Sequence, residues 1–211
     1  MILKIRVYSD VVCPWCYLGK RRLEKAIETV GIKNIEVEYL PFELNPGQPV
    51  EGADRKKHLH AKYGPVIETI DRRIEMMGKE VGIDYHFDRA SRIPNTFNAH
   101  RLIWFSAHPR LQRPVVDALF KAYFTEGKDL GNVQVLAEIA GSSGLDPDQV
   151  EKMLKSEAGA EEVRALEEKA YSRGISGVPH FVFGDKGEIS GAQSIEVFVS
   201  VLAGLNASSG R

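Results

Sequence analysis

Two cysteines three positions apart, Cys13 and Cys16, are the only ones in the 211 residues. They enclose Pro14 and Trp15, follow an alternating run from Ile2 to Tyr8, and precede Leu23, Ala26, Ile27 and Val30 at helical spacing. A strand feeding a helix here places Cys13 at or beside the helix N-cap. Unpaired backbone N–H groups and the positive end of the helix dipole favour an anion there, and the thiolate is the nucleophilic form of cysteine. Cys16, about one turn further on, faces the same side and lies deeper, where it can attack Cys13 and resolve a mixed disulfide. Pro14 suits the first helical turn, where a missing N–H costs nothing. Trp15 is exposed by the same geometry and can touch a substrate or simply pack. The chemistry of such a pair is thiol–disulfide exchange. The Cys13–Cys16 disulfide itself carries the electrons, so no tightly bound cofactor is needed.

Two other uses of such a pair fit this sequence less well. A structural staple across so short a loop removes little chain entropy, and such disulfides rarely persist in a reducing compartment. A zinc site wants four ligands, usually from a second Cys or His pair. The six histidines are scattered, and His58-Leu59-His60 is too close for the usual histidine pair. No metal is expected.

The elements around the pair follow from apolar spacing. Ile35 to Leu40 alternates Ile35, Val37 and Tyr39 against Glu36 and Glu38, so Ile2–Tyr8, the helix after Cys13 and this run form a parallel βαβ unit. Near the other end, His180 to Phe183 reads as a strand, Asp185-Lys186-Gly187 as a turn and Glu188 to Ser190 as the hairpin partner. Ser194 caps a last helix with Ile195, Phe198, Val199, Leu202 and Leu205 on one face, and Asn206 to Arg211 reads as a frayed tail. The middle is helical: Ile67, Ile70, Ile74, Met77 and Val81 form one stripe, and Val116, Leu119, Phe120 and Tyr123 form another. Asn132 and Asp146-Pro147 have the form of helix starts, and Val163, Leu166 and Ala170 mark a further helix. The pattern predicts an α/β domain, residues 1–44 and 160–211, split by an all-helical insertion over 45–159.

A formal charge of -1 argues against nucleic acid or an anionic membrane as the main partner. No run approaches the roughly 18 apolar residues of a membrane span. The opening residues lack a signal-peptide pattern because Lys4 interrupts them, so a cytoplasmic location is expected. A monomer or homodimer is expected.

Four segments, in order, resemble one family: Ser9-Asp10-Val11-Val12-Cys13-Pro14-Trp15-Cys16-Tyr17-Leu18-Gly19; residues 95–102 from Asn95 to Leu102; residues 120–127 from Phe120 to Gly127; and Gly177-Val178-Pro179-His180-Phe181-Val182-Phe183. They resemble the FrnE-type branch of the DsbA-like oxidoreductases, over nearly the full chain. The resemblance implies a thioredoxin fold with a helical insertion and disulfide oxidoreductase or isomerase activity at Cys13 and Cys16, acting on a protein or small-molecule thiol or disulfide. It also implies that Val178-Pro179 is a cis-proline loop facing the cysteines. A cis bond would leave the Val178 N–H and C=O free to pair with an extended substrate chain.

The same branch includes 2-hydroxychromene-2-carboxylate isomerases and kappa-class glutathione transferases. This makes a glutathione-dependent isomerase or transferase of an aromatic small molecule the alternative, with glutathione as co-substrate. Those enzymes typically carry serine where Cys13 stands. Asn95, His100 and Arg101 are read on a helix, and the resemblance raises them as cleft-lining residues. His180, beside the proline, is a candidate for favouring a thiolate. Asp10 is read as a strand-end turn residue that could also help move protons near the thiols.

Overall fold

The computed structural model describes residues 2–107 and 109–209. A four-stranded sheet of order β2-β1-β5-β6 forms its centre, from β1 (Leu3–Ser9), β2 (Ile35–Pro41), β5 (His180–Phe183) and β6 (Glu188–Ser190). β1 pairs parallel with β2 and antiparallel with β5, which makes the expected hairpin with β6. Alternation along β1 and β5 sends side chains to two different layers. Ile5, Val7, Phe181 and Phe183 join the core shared with α1 (Pro14–Val30) and α9 (Ile195–Ser209), where Phe181 meets Phe198 edge-on at 4.9 Å. Tyr8 and Val182 face the other way, in a smaller cluster with Phe42, Ile175 and Ala170 of α8 (Ala160–Ser172). α8 leaves Lys4 and Arg6 half-exposed, and both pair with Glu38 on β2.

The insertion follows β2. It consists of β3 (Ala53–Asp54), α2 (Arg55–Tyr63), a 3-10 turn (Gly64–Val66), α3 (Ile67–Glu80), β4 (Arg92–Ile93), α4 (Phe97–Phe105), α5 (Pro109–Phe124), α6 (Val133–Ser142) and α7 (Pro147–Leu154). It is helical apart from a two-rung antiparallel ribbon, Ala53 opposite Ile93 and Asp54 opposite Arg92, that the apolar spacing did not foresee. The caps read from sequence are in place: Asn132 accepts from the Gln134 and Val135 N–H groups, and Asp146 from those of Asp148 and Gln149. α2 buries none of its residues, so it carries no apolar stripe by which to be read. The frayed tail expected from Asn206 is instead helical through Ser209, while Gly210 and Arg211 lie outside the described residues.

Two polar devices dock the insertion onto the sheet. Gln112 of α5 accepts from the Tyr39 N–H at 2.9 Å and donates to the Tyr39 carbonyl at 3.1 Å, closing part of the free edge of β2 as another strand would. On α1, the fully buried Lys20 donates to Glu24 at 2.8 Å and to Asp117 of α5. Arg113 and Arg21 also contact Glu24, at 2.8 and 3.2 Å. Burial pushes the Glu24 carboxyl up, but Lys20, Arg113 and Arg21 outweigh it and hold the group below its ordinary value near 4.5.

Removing one partner of a buried pair strands the other. Lys20→Met should lower stability by about 3 kcal/mol in urea unfolding, because Glu24 and Asp117 lose their shared cation. A depressed carboxylate stabilises the fold above its unfolded-state value and stops doing so as pH falls through its folded one. Stability should therefore drop below about pH 4.5, and Glu24→Gln should remove part of that drop at the price of lower stability at pH 7.

Candidate active site

The turn from β1 into α1 makes Cys13 the helix N-cap, in extended backbone conformation, with Pro14 at the first helical position. The Cys13 carbonyl accepts from the Cys16 N–H at 3.0 Å, and the Asp10 carbonyl accepts from the Cys13 N–H at 3.1 Å. No side-chain hydrogen bond caps α1, so the positive end of the helix is left beside the Cys13 side chain.

Across from it lies the loop before β5, where the Val178–Pro179 bond is cis. The Cys13 thiol donates to the Val178 carbonyl at 3.8 Å. The Pro179 carbonyl accepts from the Gly191 N–H at 2.8 Å, tying the loop to the β6 end of the hairpin. Among the described residues, no acceptor meets the Val178 N–H. Gly19 sets how closely helix and loop approach. A Cβ at this position would stand 3.1 Å from both the Pro179 and Phe181 side chains.

Both cysteines are free thiols. Cys16 sits one turn below Cys13 and is 1% exposed. Burial raises its pKa well above the ordinary thiol value, and the neighbouring Cys13 adds to this; the Asp10 backbone and the Ser9 hydroxyl pull only partly back. Cys16 is accordingly a protonated thiol at neutral pH.

The insertion supplies the other half of the site. The Tyr85 hydroxyl donates to the Pro14 carbonyl at 2.7 Å, gripping the first turn of α1. Tyr17 stacks on Phe120 at 4.9 Å and meets Tyr85 edge-on at 5.8 Å. Between the two halves opens a cavity of about 400 Å³. Val12, Cys13, Trp15 and Val178 line it on one side, and Leu59, Tyr63, Ile67, Ile70 and Ile74 of the insertion on the other. Arg55 and Asp71, also in its wall, neutralise each other through two contacts of 3.0 Å. His58 and the cationic Lys62 also line it.

Of the residues singled out from sequence, Cys13, Pro14, Trp15 and Val178 share this cavity, Cys16 lies beneath it, and Pro179 packs at Gly19 behind it. His180 does not face the thiols. Strand alternation turns its ring to Tyr8 and to Glu188 at 3.2 Å, on the opposite side of β5 from Phe181. Asn95 precedes α4 and closes a loop, donating to the Gln48 carbonyl at 2.7 Å and accepting from the Phe97 N–H at 3.0 Å. It lines a separate polar hollow with Glu43, Asn98 and Arg164. Arg101 is spent on main-chain carbonyls from Met153 to Ala158 at the end of α7. His100 is buried and lies 3.5 Å from Asp10.

Sequence reasoning missed Tyr85, whose neighbours Ile83 and Phe87 are buried in a segment with no helical period. It also underweighted Asp10, which is 1% exposed where a turn residue would be solvated. Among the described residues, no group of three or more His, Cys, Asp or Glu side chains could hold a metal ion, and no helix is long and apolar enough to cross a membrane.

Residues 4–203 match the model of a family described as the DSBA-like thioredoxin domain. The protein YwbO of Bacillus subtilis, itself uncharacterized, is 30% identical over 204 residues, covering 96% of this chain and 97% of its own. The crystal structure of a probable DsbA oxidoreductase from Streptomyces coelicolor superposes with a TM-score of 0.90 at 32% identity, over 99% of this chain and 91% of that one. A 2-hydroxychromene-2-carboxylate isomerase shares the fold at a TM-score of 0.75 and 19% identity, over 98% of each chain.

The difference in placement between the thiols is measurable. In the reduced protein at pH 7, iodoacetamide should modify Cys13 at least about tenfold faster than Cys16, since only the thiolate attacks and Cys16 is held protonated. Peptide mass spectrometry over time checks this; equal rates would contradict the placement.

Proposed function

The chain belongs to the DsbA-like thioredoxin family, and from that membership we propose that it catalyses thiol–disulfide exchange at Cys13 and Cys16. The observation that carries this reading is the N-cap thiol of Cys13, set against the Val178 carbonyl at the edge of an open cavity, with a second thiol one turn below. In the reducing direction, the Cys13 thiolate attacks one sulfur of a substrate disulfide. A Cys13–substrate bond forms and the other substrate sulfur leaves as thiolate. Cys16 then gives up its proton and attacks the Cys13 sulfur, releasing the second substrate sulfur, which takes a proton to become a thiol, and leaving Cys13–Cys16 oxidised. The oxidising direction is the reverse.

The protein thus supplies placement. Both thiols are buried, but Cys13 borders the cavity and Cys16 does not, so Cys16 acts only in the resolving step. The free Val178 N–H offers an extended substrate one main-chain hydrogen bond beside the reacting sulfur. No cofactor is required beyond the disulfide, and glutathione or a protein thiol serves as the exchange partner.

A second reading is favoured by the largely apolar walls and small-molecule size of the cavity. Here the site binds glutathione and an aromatic small molecule, and glutathione's own thiol does the chemistry.

Cys13→Ser should abolish reduction of insulin and of oxidised glutathione. Cys16→Ser should lose turnover and accumulate a mixed disulfide at Cys13, visible as an added mass that dithiothreitol removes. Turnover of an aromatic substrate with glutathione that survives Cys16→Ser would instead establish the second reading.

A further inference from the structure

Asp10 contacts the turn that carries both thiols and the insertion behind it. Its carbonyl accepts from the Cys13 N–H at 3.1 Å, and its backbone lies against the Cys16 sulfur. Its carboxylate accepts from the Leu44 N–H at 2.8 Å and sits 3.5 Å from the Val12 N–H. The same carboxylate lies 3.5 Å from Nε2 of His100, on α4 of the insertion. Both side chains are 1% exposed, so the pair is dry and its attraction is little screened.

The groups facing His100 come from three segments: Asp10 from the β1–α1 turn, Glu43 from the chain after β2, and Glu167 from α8. Arg164, also on α8, acts on both glutamates. Glu43 and Glu167 each keep one buried carboxylate oxygen with no hydrogen-bond partner, and His100 Nε2 meets Asp10 only as a 3.5 Å charge contact, short of a hydrogen bond. His100 is therefore a buried histidine beside three carboxyl groups, which favour its charged form. On its own helix, the adjacent Arg101 is committed to carbonyls at the end of α7.

We propose that Asp10 and His100 are positioning residues for the exchange reaction. Their ion pair holds the turn on which both thiols depend, so that the protonation of His100 and the redox state of Cys13–Cys16 are linked. The proposal rests on the exchange reading above. Its physical basis is that breaking a buried pair on one side leaves the other charge uncompensated. If His100 loses its proton, Asp10 faces Glu167 and Glu43 without the histidine cation, and its hold on the Val12 and Leu44 amides weakens. The Asp10 backbone then no longer fixes the sulfur of Cys16. In the other direction, forming or breaking the disulfide moves that sulfur against Asp10 and alters the field at His100.

The sign follows from the surroundings. Burial alone would strip His100 of its proton, but Asp10, Glu167 and Glu43 outweigh it and raise its pKa above the ordinary histidine value. Burial, with Glu167 adding, lifts Glu43 to about 7. The pair is thus lost as pH rises through the folded value of His100, which lies above the ordinary histidine value.

Two measurements test this. Disulfide exchange with glutathione consumes two glutathione molecules and the oxidised protein to give glutathione disulfide and the reduced dithiol. Its equilibrium constant should change by an additional factor of about five or more across the titration of His100, over that of the thiols themselves. By reciprocity, the proton affinity of His100 in the wild-type protein, followed by NMR of its imidazole, should differ by the same factor between oxidised and reduced forms. His100→Gln, which keeps a hydrogen-bond donor without the titration, should exchange with glutathione but lose the additional pH dependence; His100→Leu should lower the exchange rate at every pH.

An unchanged His100 titration in the two redox states, or a His100→Gln profile identical to wild type, overturns the proposal. If His100→Gln does not fold, the wild-type titration decides alone. Wild-type protein that exchanges no disulfide with glutathione or insulin overturns the exchange reading itself, a result distinct from exchange without linkage.

Discussion

A nucleophilic sulfur must be dry enough to feel the first amides of a helix and open enough to meet another sulfur. In the proposed exchange that conflict falls on Cys13, whose position depends on elements from both ends of the chain. Cys13 caps α1 at the C-terminal end of β1, a strand held between β2 and β5, so the cap position is set by paired neighbours on both sides. The missing side chain at Gly19 then lets α1 lie against Pro179, which brings the Val178 carbonyl to the thiol. The cysteine is largely covered by protein, yet it borders an open cavity.

The insertion closes the site by two different kinds of force. Aromatic packing of Tyr17 against Phe120, Phe124 and Tyr85 is broad and tolerant of small shifts. The polar contacts are few and directional: Tyr85 on the Pro14 carbonyl, Gln112 on the edge of β2, Lys20 among carboxylates, and His100 beside Asp10. Buried charges are weak sources of net stability, because desolvation offsets most of their attraction. Their value here is in register. Each meets its partner group in one docking of the insertion, and a displaced docking would strand a charge.

This division explains why some residues drew attention for the wrong reason. His180 adjoins the proline in sequence, but strand geometry alternates side chains, so a neighbour along the chain points to the opposite layer. Arg101 and Asn95 fall in a segment that resembles the family's, yet apart from Asn98 their partners are main-chain groups that no side-chain pattern reveals. Asp10 has the composition of a turn and the burial of a core residue. Tyr85 belongs to no periodic element, and its importance comes from reaching a carbonyl 71 positions away.

Local physics was legible in the sequence. The alternation of β1, the stripe and cap of α1, the hairpin of β5 and β6, the caps at Asn132 and Asp146, and the pairing of two thiols on one helical turn all depend on residues within about one or two turns of one another. These features, with the resemblance of four segments, were enough to propose thiol chemistry at Cys13 and Cys16 and to expect a helical insertion. What the tertiary structure alone decided is which distant groups share a buried space. The edge of β2 closed by Gln112, the grip of Tyr85, the turning away of His180 and the pairing of Asp10 with His100 join parts of the chain far apart or select one face of a strand. They arise because a buried polar group must find a partner wherever the packing of the whole molecule leaves one, and that packing is not written in the spacing of neighbours.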